Sequence, residues 1–454
     1  MSSFSVQGVR VVVVGAARSG VAVAELLVQR GARVTLTDRQ PGVADAGRLR
    51  AAGVALELGS TDAAAVAHAD LVVMSPGVPI ELPAIVAAAA RGVPVIGELE
   101  LAFRWLRGRV VAITGTKGKS TTTTLVGRML EAAGRRVLVG GNIGVPLSSQ
   151  VDASTEATVH VVEASSFQLE TTDQFHPWIA ALLNFSPDHL DRHPDEPAYG
   201  RAKARVFANQ TASDWAVINA DSAAALALAA GTRARQLQYA VDNIAEAGVY
   251  VERDFIWQRT SEGATPLVPL ASIELAGRHM LSNVAAAAAI CHVAGIDGNA
   301  MTRALSGFTG LEHVMELVAT VGGVQFVNDS KATNIDAAGR SIESFDRVVA
   351  IVGGRYKGGR FEDLRRPLSA CGKAVVAIGE ARPLIRQALE GVVPVVEADS
   401  MADAVAKAGQ LARPDGVVLL APACSSFDMF ADYAARGRAF KDEVGQYLRE
   451  RNRE

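Results

Sequence analysis

Short apolar runs recur along the chain, each ending at a glycine or polar residue and each followed by a stretch with helical spacing of its apolar positions. A strand covered by helices on both faces reads as a continuous apolar run, so this pattern predicts α/β units built on parallel sheets. The first unit runs from a strand at Arg10–Gly15 through a helix near Val21 to Arg30 and returns as the strand Arg33–Asp38. A further strand enters Leu71–Gly77, where Pro76 and Gly77 force a loop. A second series starts at Arg109–Gly115, passes into a helix from about Lys119 to Ala133, and continues in strands at Val159–Glu163 and Ile179–Asn184. A third comprises Val324–Asn328, Val348–Gly353, Val375–Gly379 and Val417–Ala421.

Three strand groups predict three α/β domains, which a length of 454 residues allows at roughly 150 per domain. The expected divisions are 1–97, 98–310 and 311–454. Hydrophobic residues make up 49% and charged residues 20%, enough apolar material for a sizeable core and too little charge for a disordered chain. No apolar run reaches the roughly 18 residues that a membrane span needs. Gly15 and Arg18 interrupt the one stretch that could pass for a signal-peptide core. The 45 basic and 48 acidic residues nearly cancel at −3, which argues against a nucleic-acid or membrane-surface partner. Cys291, Cys371 and Cys424 lack the spacing of a zinc or dithiol site, as expected in a reducing cytoplasm. Only eight of the basic residues are lysine, and none precedes Lys117. Each lysine is therefore a candidate for a place where a compact amine that can lose its proton is needed rather than a planar guanidinium.

Gly15-Ala-Ala-Arg-Ser-Gly20 joins the first strand to its helix, and Asp38 ends the next strand, where a dinucleotide fold holds a ribose hydroxyl. Ala17 takes the place of the middle glycine and restricts the approach of a pyrophosphate. The segment therefore reads equally as a structural turn or as a nucleotide site other than that of a nicotinamide dinucleotide. Gly115-Thr-Lys-Gly-Lys-Ser-Thr121 carries a stronger signal, because small residues between a buried strand and a helix let backbone N–H groups face a phosphate. Lys119 can reach terminal phosphates there, and Ser120 or Thr121 can contact magnesium. Only Thr116 and Lys117 separate Gly115 from Gly118, a shorter spacing than the usual phosphate loop. Glu163 ends an apolar strand, where an unpaired carboxylate would be costly, so it faces either a metal cation or a salt-bridge partner. His189 and His193 bracket Asp191, but Pro187 and Pro194 oppose a helix that would turn both rings to one zinc. Lys203 by itself reads as an ordinary helix-surface lysine.

Taken in order with Gly141–Gly144, Glu163–Glu170, Asp188–Arg192, Asn328–Asn334 and Pro422–Asp428, these segments resemble the motifs of the Mur ligases of peptidoglycan synthesis across nearly the whole chain. That resemblance implies a three-domain α/β fold with a Rossmann-like N-terminal domain, a central P-loop-type mononucleotide-binding domain and a Rossmann-like C-terminal domain. It implies ATP-driven addition of D-glutamate to UDP-N-acetylmuramoyl-L-alanine through an acyl phosphate. The expected enzyme is a cytoplasmic monomer with no nucleic-acid or membrane partner.

By the same resemblance Ser19, Asp38, Arg39, Ser75 and Gly77 hold the UDP end. Gly115, Thr116, Lys117, Gly118, Lys119, Ser120, Thr121, Asn283 and Asp329 bind ATP. Two magnesium ions fall to Ser120, Glu163, His189 and Lys203, the last carbamylated by carbon dioxide, and Asn142 with His189 holds the muramoyl group. Lys331, Thr333, Lys357, Ser426 and Tyr433 form the glutamate pocket, with tyrosine where the family usually has phenylalanine. Lys119, Glu163, His189 and Lys203 are the expected catalytic set, and His193 is left on the surface. Phosphate loop and glutamate pocket fall in different predicted domains, so domain closure is expected to assemble the site. The sequence departs from the family at Val314, where an arginine is usual, at Arg355, often acidic, and at Met280, usually asparagine. Alternatives are a folylpolyglutamate synthetase, a ligase using L-glutamate, a nicotinamide-dependent dehydrogenase and a non-catalytic nucleotide-binding scaffold.

Overall fold

The computed structural model describes the chain apart from residues 1–3, 44–45, 61–63, 190–191, 243–247, 275–277, 357 and 452–454, and apart from the side chain of Asp336. It divides into two compact units, Met1–Phe308 and Thr309–Glu454. Among the described residues the first unit holds two sheets and the second holds one.

The N-terminal sheet has five parallel strands in the order Ala55–Leu58, Arg33–Asp38, Arg10–Val14, Leu71–Met74 and Val95–Gly97. The strand order reverses beside Arg10–Val14, and at such a switch point the loops at the carboxyl ends diverge and leave a crevice. The Gly15 turn and Ser75 lie there. The central sheet has nine strands. Seven are parallel, in the order Arg136–Gly141, Thr158–Glu163, Arg109–Thr114, Ile179–Leu182, Trp215–Asn219, Arg235–Ala240 and Val249–Glu252. Phe255–Thr260 and Gly263–Pro269 then continue it antiparallel. In the second unit Glu316–Val321 runs antiparallel to Val324–Asn328, followed by the parallel strands Val417–Leu420, Val348–Gly353, Gly372–Ile378 and Val395–Glu397.

The sheets are parallel in their interiors, as expected, and antiparallel strands extend two of their edges. Strands there are half exposed and carry polar residues such as Gln258, Arg259 and Thr265, so they present no continuous apolar run to read. The interior strands do: Val348–Gly353 is buried at every position and packs between helices on both faces.

A short helix, Glu98–Phe103, follows the last N-terminal strand and is stapled by two buried carboxylates to segments that flank the central sheet. Glu98 accepts from the Ser148 N–H at 2.7 Å, and burial raises its pKa. Glu100 accepts from Arg104 Nε at 2.8 Å and from the N–H groups of Asp173, Gln174 and Phe175 at 2.9, 3.0 and 2.9 Å. A carboxylate has only acceptor lone pairs, whereas an amide would turn an N–H₂ toward one set of these donors. Glu100→Gln should therefore lower the unfolding free energy by roughly 2–4 kcal/mol, read as a lower urea midpoint. An unchanged midpoint would contradict the staple.

Candidate active site

The strand Arg109–Thr114 ends in the phosphate loop, and the helix Lys119–Ala132 starts directly after it. Gly118 adopts φ +80°, and a Cβ there would stand 2.2 Å from Asn283 Oδ1, so both backbone conformation and space demand glycine. Asn283 is thereby placed against the loop from the helix Arg278–Val293. The loop is braced from behind by Asn184, whose Oδ1 accepts from the Thr116 and Lys117 N–H groups at 3.1 and 2.8 Å while its Nδ2 donates to the Lys117 carbonyl. Thr116 Oγ1 bonds the Ser186 carbonyl and contacts the Tyr199 hydroxyl. Ser120 is half buried in the first helical turn and Thr121 is buried.

Two lysine amines converge on one carbonyl of this loop. Lys119 Nζ donates to Gly115 O at 3.0 Å and to Thr116 O at 3.1 Å, and Lys203 Nζ donates to the same Gly115 O at 2.8 Å. Lys203 comes from the helix Glu196–Ala204, is 1% exposed, and lies 4.5 Å from the centroid of the Tyr199 ring. Burial, and behind it the charge of Lys119, push its amine down to about 6. Such an amine is largely uncharged at neutral pH and nucleophilic.

Glu163 ends the strand Thr158–Glu163 beside the phosphate-loop strand and is buried. Its Oε1 accepts from Asn142 Nδ2 at 2.8 Å, while Oε2 has no hydrogen-bond partner among the described residues. An ionised, buried oxygen without a partner is costly unless a cation completes it. His189 sits in the left-handed region at φ +55° with its ring against Phe167 at 5.1 Å between centroids and Tyr199 at 6.0 Å. At the N-terminal turn Asp38 is pinned, Oδ2 accepting from Ala16 N at 2.6 Å and Oδ1 from Gln40 N at 2.8 Å, and Ser75 Oγ donates to Gly15 O at 2.8 Å. Ser19 is half buried in the following helix, and Arg39 and Gly77 are exposed on the adjoining loops.

In the second unit the strand Val324–Asn328 feeds the loop that carries Asp329, Lys331 and Thr333. Asp329 is buried, which raises its pKa, and accepts from Ser341 Oγ and from Met315 N. Lys331 is exposed, and its N–H donates to the His313 carbonyl at 3.1 Å. Arg436, 1% exposed, donates Nε to Ser330 Oγ, Nη2 to Ser330 O and Nη1 to Cys424 O, all at 3.0–3.1 Å. That one guanidinium ties the Asp329–Thr333 loop to the loop bearing buried Ser426. Burial lowers it to about 10. Tyr433, 41% exposed, accepts from Ser330 Oγ through its carbonyl. Lys357 lies outside the described residues.

Residues 9–97 match the Mur ligase MurD-like N-terminal domain, 113–291 the Mur ligase middle domain, and 315–424 the Mur ligase glutamate ligase domain. The UDP-N-acetylmuramoylalanine–D-glutamate ligase of Acidobacterium capsulatum is 44% identical over 96% of each chain, and that of Anaeromyxobacter dehalogenans is 45% identical over 97% of this chain and 98% of its own. The chain belongs to the Mur ligase family, in its UDP-N-acetylmuramoylalanine–D-glutamate ligase branch. The same fold occurs in a pseudomurein peptide ligase type C from Methanothermus fervidus, with TM-score 0.57 at 17% identity over 96% of this chain and 99% of that one. It occurs too in the UDP-N-acetylmuramate–alanine ligase of Thermotoga maritima, with TM-score 0.56 at 18% identity over 97% and 100%.

Sequence reasoning about this Mur ligase erred on His193, expected on the surface but 5% exposed. Its ring stacks on Phe167 at 5.3 Å and its Nε2 lies 2.9 Å from Ser166 Oγ, partners far back in the chain that no local spacing announces. Asp191 lies outside the described residues. Asn184, Tyr199 and Arg436 were passed over. Asn184 had one available signal, a polar residue just beyond the carboxyl end of a buried strand in an α/β sheet.

Proposed function

We infer that this Mur ligase forms an amide between D-glutamate and the alanyl carboxylate of UDP-N-acetylmuramoyl-L-alanine with cleavage of ATP. The observation that carries the reading is the convergence of Lys119 and a deprotonatable Lys203 on the phosphate loop beside the half-satisfied Glu163 carboxylate. A carboxylate is a poor electrophile, so its oxygen first takes the γ-phosphoryl group from ATP and releases ADP. The glutamate amine then attacks the acyl carbon, the tetrahedral intermediate collapses, and phosphate leaves with the oxygen that the carboxylate contributed.

The N–H groups of the phosphate loop and the Lys119 ammonium hold the transferring phosphoryl group by positioning and charge. Asn283, set against Gly118, and Asp329 complete the ATP side. Lys203, as the neutral amine, adds carbon dioxide to form a carbamate and gives its proton to solvent, which places an anion at the loop. Ser120, Glu163, His189 and the Lys203 carbamate would hold two magnesium ions, which would neutralise charge on the phosphate oxygens. Asn142 orients Glu163 and, with His189, the muramoyl group. Residues 1–97 hold the UDP end through Ser19, Asp38, Arg39, Ser75 and Gly77. Residues 98–310 carry ATP chemistry, and 311–454 hold glutamate through Lys331, Thr333, Lys357, Ser426 and Tyr433, the lysines facing its carboxylates.

Substrate labelled with oxygen-18 in the alanyl carboxylate tests the acyl phosphate. Labelled inorganic phosphate is the expected product, and unlabelled phosphate would overturn the mechanism. In the same assay Lys331→Ala should raise the KM for glutamate about 10- to 100-fold, the worth of one charge-assisted hydrogen bond, and leave the KM for ATP unchanged. A larger effect on ATP than on glutamate would reverse the domain roles.

A further inference from the structure

The Asp188–Arg192 motif does more than present His189. Arg192 Nη2 donates to the carbonyl of Val78 at 2.7 Å, and the same nitrogen lies 3.6 Å from Glu170 Oε1. Its guanidinium carbon lies 5.2 Å from the centroid of the Phe167 ring, whose neighbour is the His189 ring. The Arg192 and Glu170 side chains are only 17% and 15% exposed, so the contacts are shielded from solvent. Val78 closes a turn, its N–H donating to Ser75 O at 3.0 Å, and so belongs to the Ser75–Gly77 loop assigned above to the UDP end. At the other end, the N–H groups of Arg192 and His193 donate to the His189 carbonyl at 3.0 and 2.9 Å and hold that residue in its left-handed conformation. One side chain thus joins the loop at the nucleotide end of the substrate to the turn at its reacting end, and both lie within the first compact unit.

We propose that Arg192 is a positioning residue that fixes the spacing between the UDP-holding loop and the His189 turn, so that binding energy at the uridine end is delivered as alignment of the alanyl carboxylate. The proposal rests on the functional reading above. A rigid planar fork suits this place because it meets the Val78 carbonyl, the Glu170 carboxylate and the face of Phe167 together, which the single ammonium of lysine cannot do. Energy from a remote part of a substrate aids the chemical step only if the protein between the two ends transmits it. The side chain touches no reacting atom, and Lys119 and Lys203 already serve the phosphate loop.

The test compares wild type, Arg192→Ala and Arg192→Lys on UDP-N-acetylmuramoyl-L-alanine and on N-acetylmuramoyl-L-alanine 1-phosphate, which lacks the uridine monophosphate. Wild-type turnover of the full substrate comes first, and its absence would sink the functional reading rather than this one. With wild type active, Arg192→Ala should lower kcat/KM for the full substrate at least tenfold and Arg192→Lys at least threefold, with the KM for ATP and glutamate within twofold. The preference in kcat/KM for the full substrate over the truncated one should shrink by the same factors, because truncation and substitution remove one coupling. Equal losses on both substrates, an ATP effect as large as the nucleotide-sugar effect, or no change would overturn the proposal. Arg192→Lys keeps a cation opposite Glu170, so it decides the matter if Arg192→Ala does not fold.

Discussion

Lys119→Ala will abolish phosphate release, lowering turnover by at least about a thousandfold, while the melting temperature stays close to that of wild type. Nζ is held at the loop by Gly115 O and Thr116 O, at the start of the Lys119–Ala132 helix, where the aligned N–H groups already favour an anion. As phosphoryl transfer proceeds, charge shifts onto oxygens that only fixed cations and N–H groups can meet without rearranging solvent. Removal of the ammonium takes away a cation at the phosphates, and the loop's other lysine, Lys117, is exposed. Lys119→Arg should recover little, because a fork needs more room than the point charge it replaces. Phosphate release from Lys119→Ala at a tenth of the wild-type rate or more would mean that the loop is a structural turn.

Lys203→Arg is the second large effect, a loss of about 100- to 1,000-fold, although it keeps a basic side chain of similar length. Arginine cannot lose its proton and so cannot form a carbamate. Wild type in carbon-13 bicarbonate should show a carbamate resonance that Lys203→Arg lacks, and its absence from active wild-type protein would remove the carbamate from the account. The amine also gives a pH signature with a defined sign. Its folded value of about 6 lies below the ordinary 10.5, so between those limits the unfolded chain binds a proton that the folded chain does not. The contribution of Lys203 to stability in buffer free of carbon dioxide therefore rises with pH from about 6 toward 10.5, and flattens below 6 where both states are protonated. Lys203→Met should remove that slope.

Lys203 also shows where reading the chain succeeds and where it stops. The position could be singled out by likeness of motif, but burial that lowers its pKa depends on Tyr199 and on a carbonyl 88 residues away. Spacing along the helix Glu196–Ala204 carries neither. The phosphate loop was legible because strand, glycines, lysine and helix are contiguous and their chemistry is local. The strand Val348–Gly353 was legible to the residue because double-sided burial leaves an unbroken apolar run, and Arg33–Asp38 and Val324–Asn328 were legible although Thr35 and the exposed Gln325 interrupt theirs. The antiparallel edge at Phe255–Pro269 was not, since exposed strands at a sheet margin tolerate polar side chains at either parity. His193, Asn184 and Arg436 were missed for one reason: each takes its meaning from loops that the fold brings together, and no periodicity records such meetings. Asp38 ends its strand as expected, yet its carboxylate is already engaged by the N–H groups of Ala16 and Gln40, contacts that exist only in the folded chain.

The central claim is that cleavage of ATP is coupled to amide formation with D-glutamate. It is tested most directly by phosphate release from ATP and UDP-N-acetylmuramoyl-L-alanine with D-glutamate, with L-glutamate, or with neither. The account predicts rapid release with D-glutamate and only background release in the other two arms. Equal release in all three would contradict it.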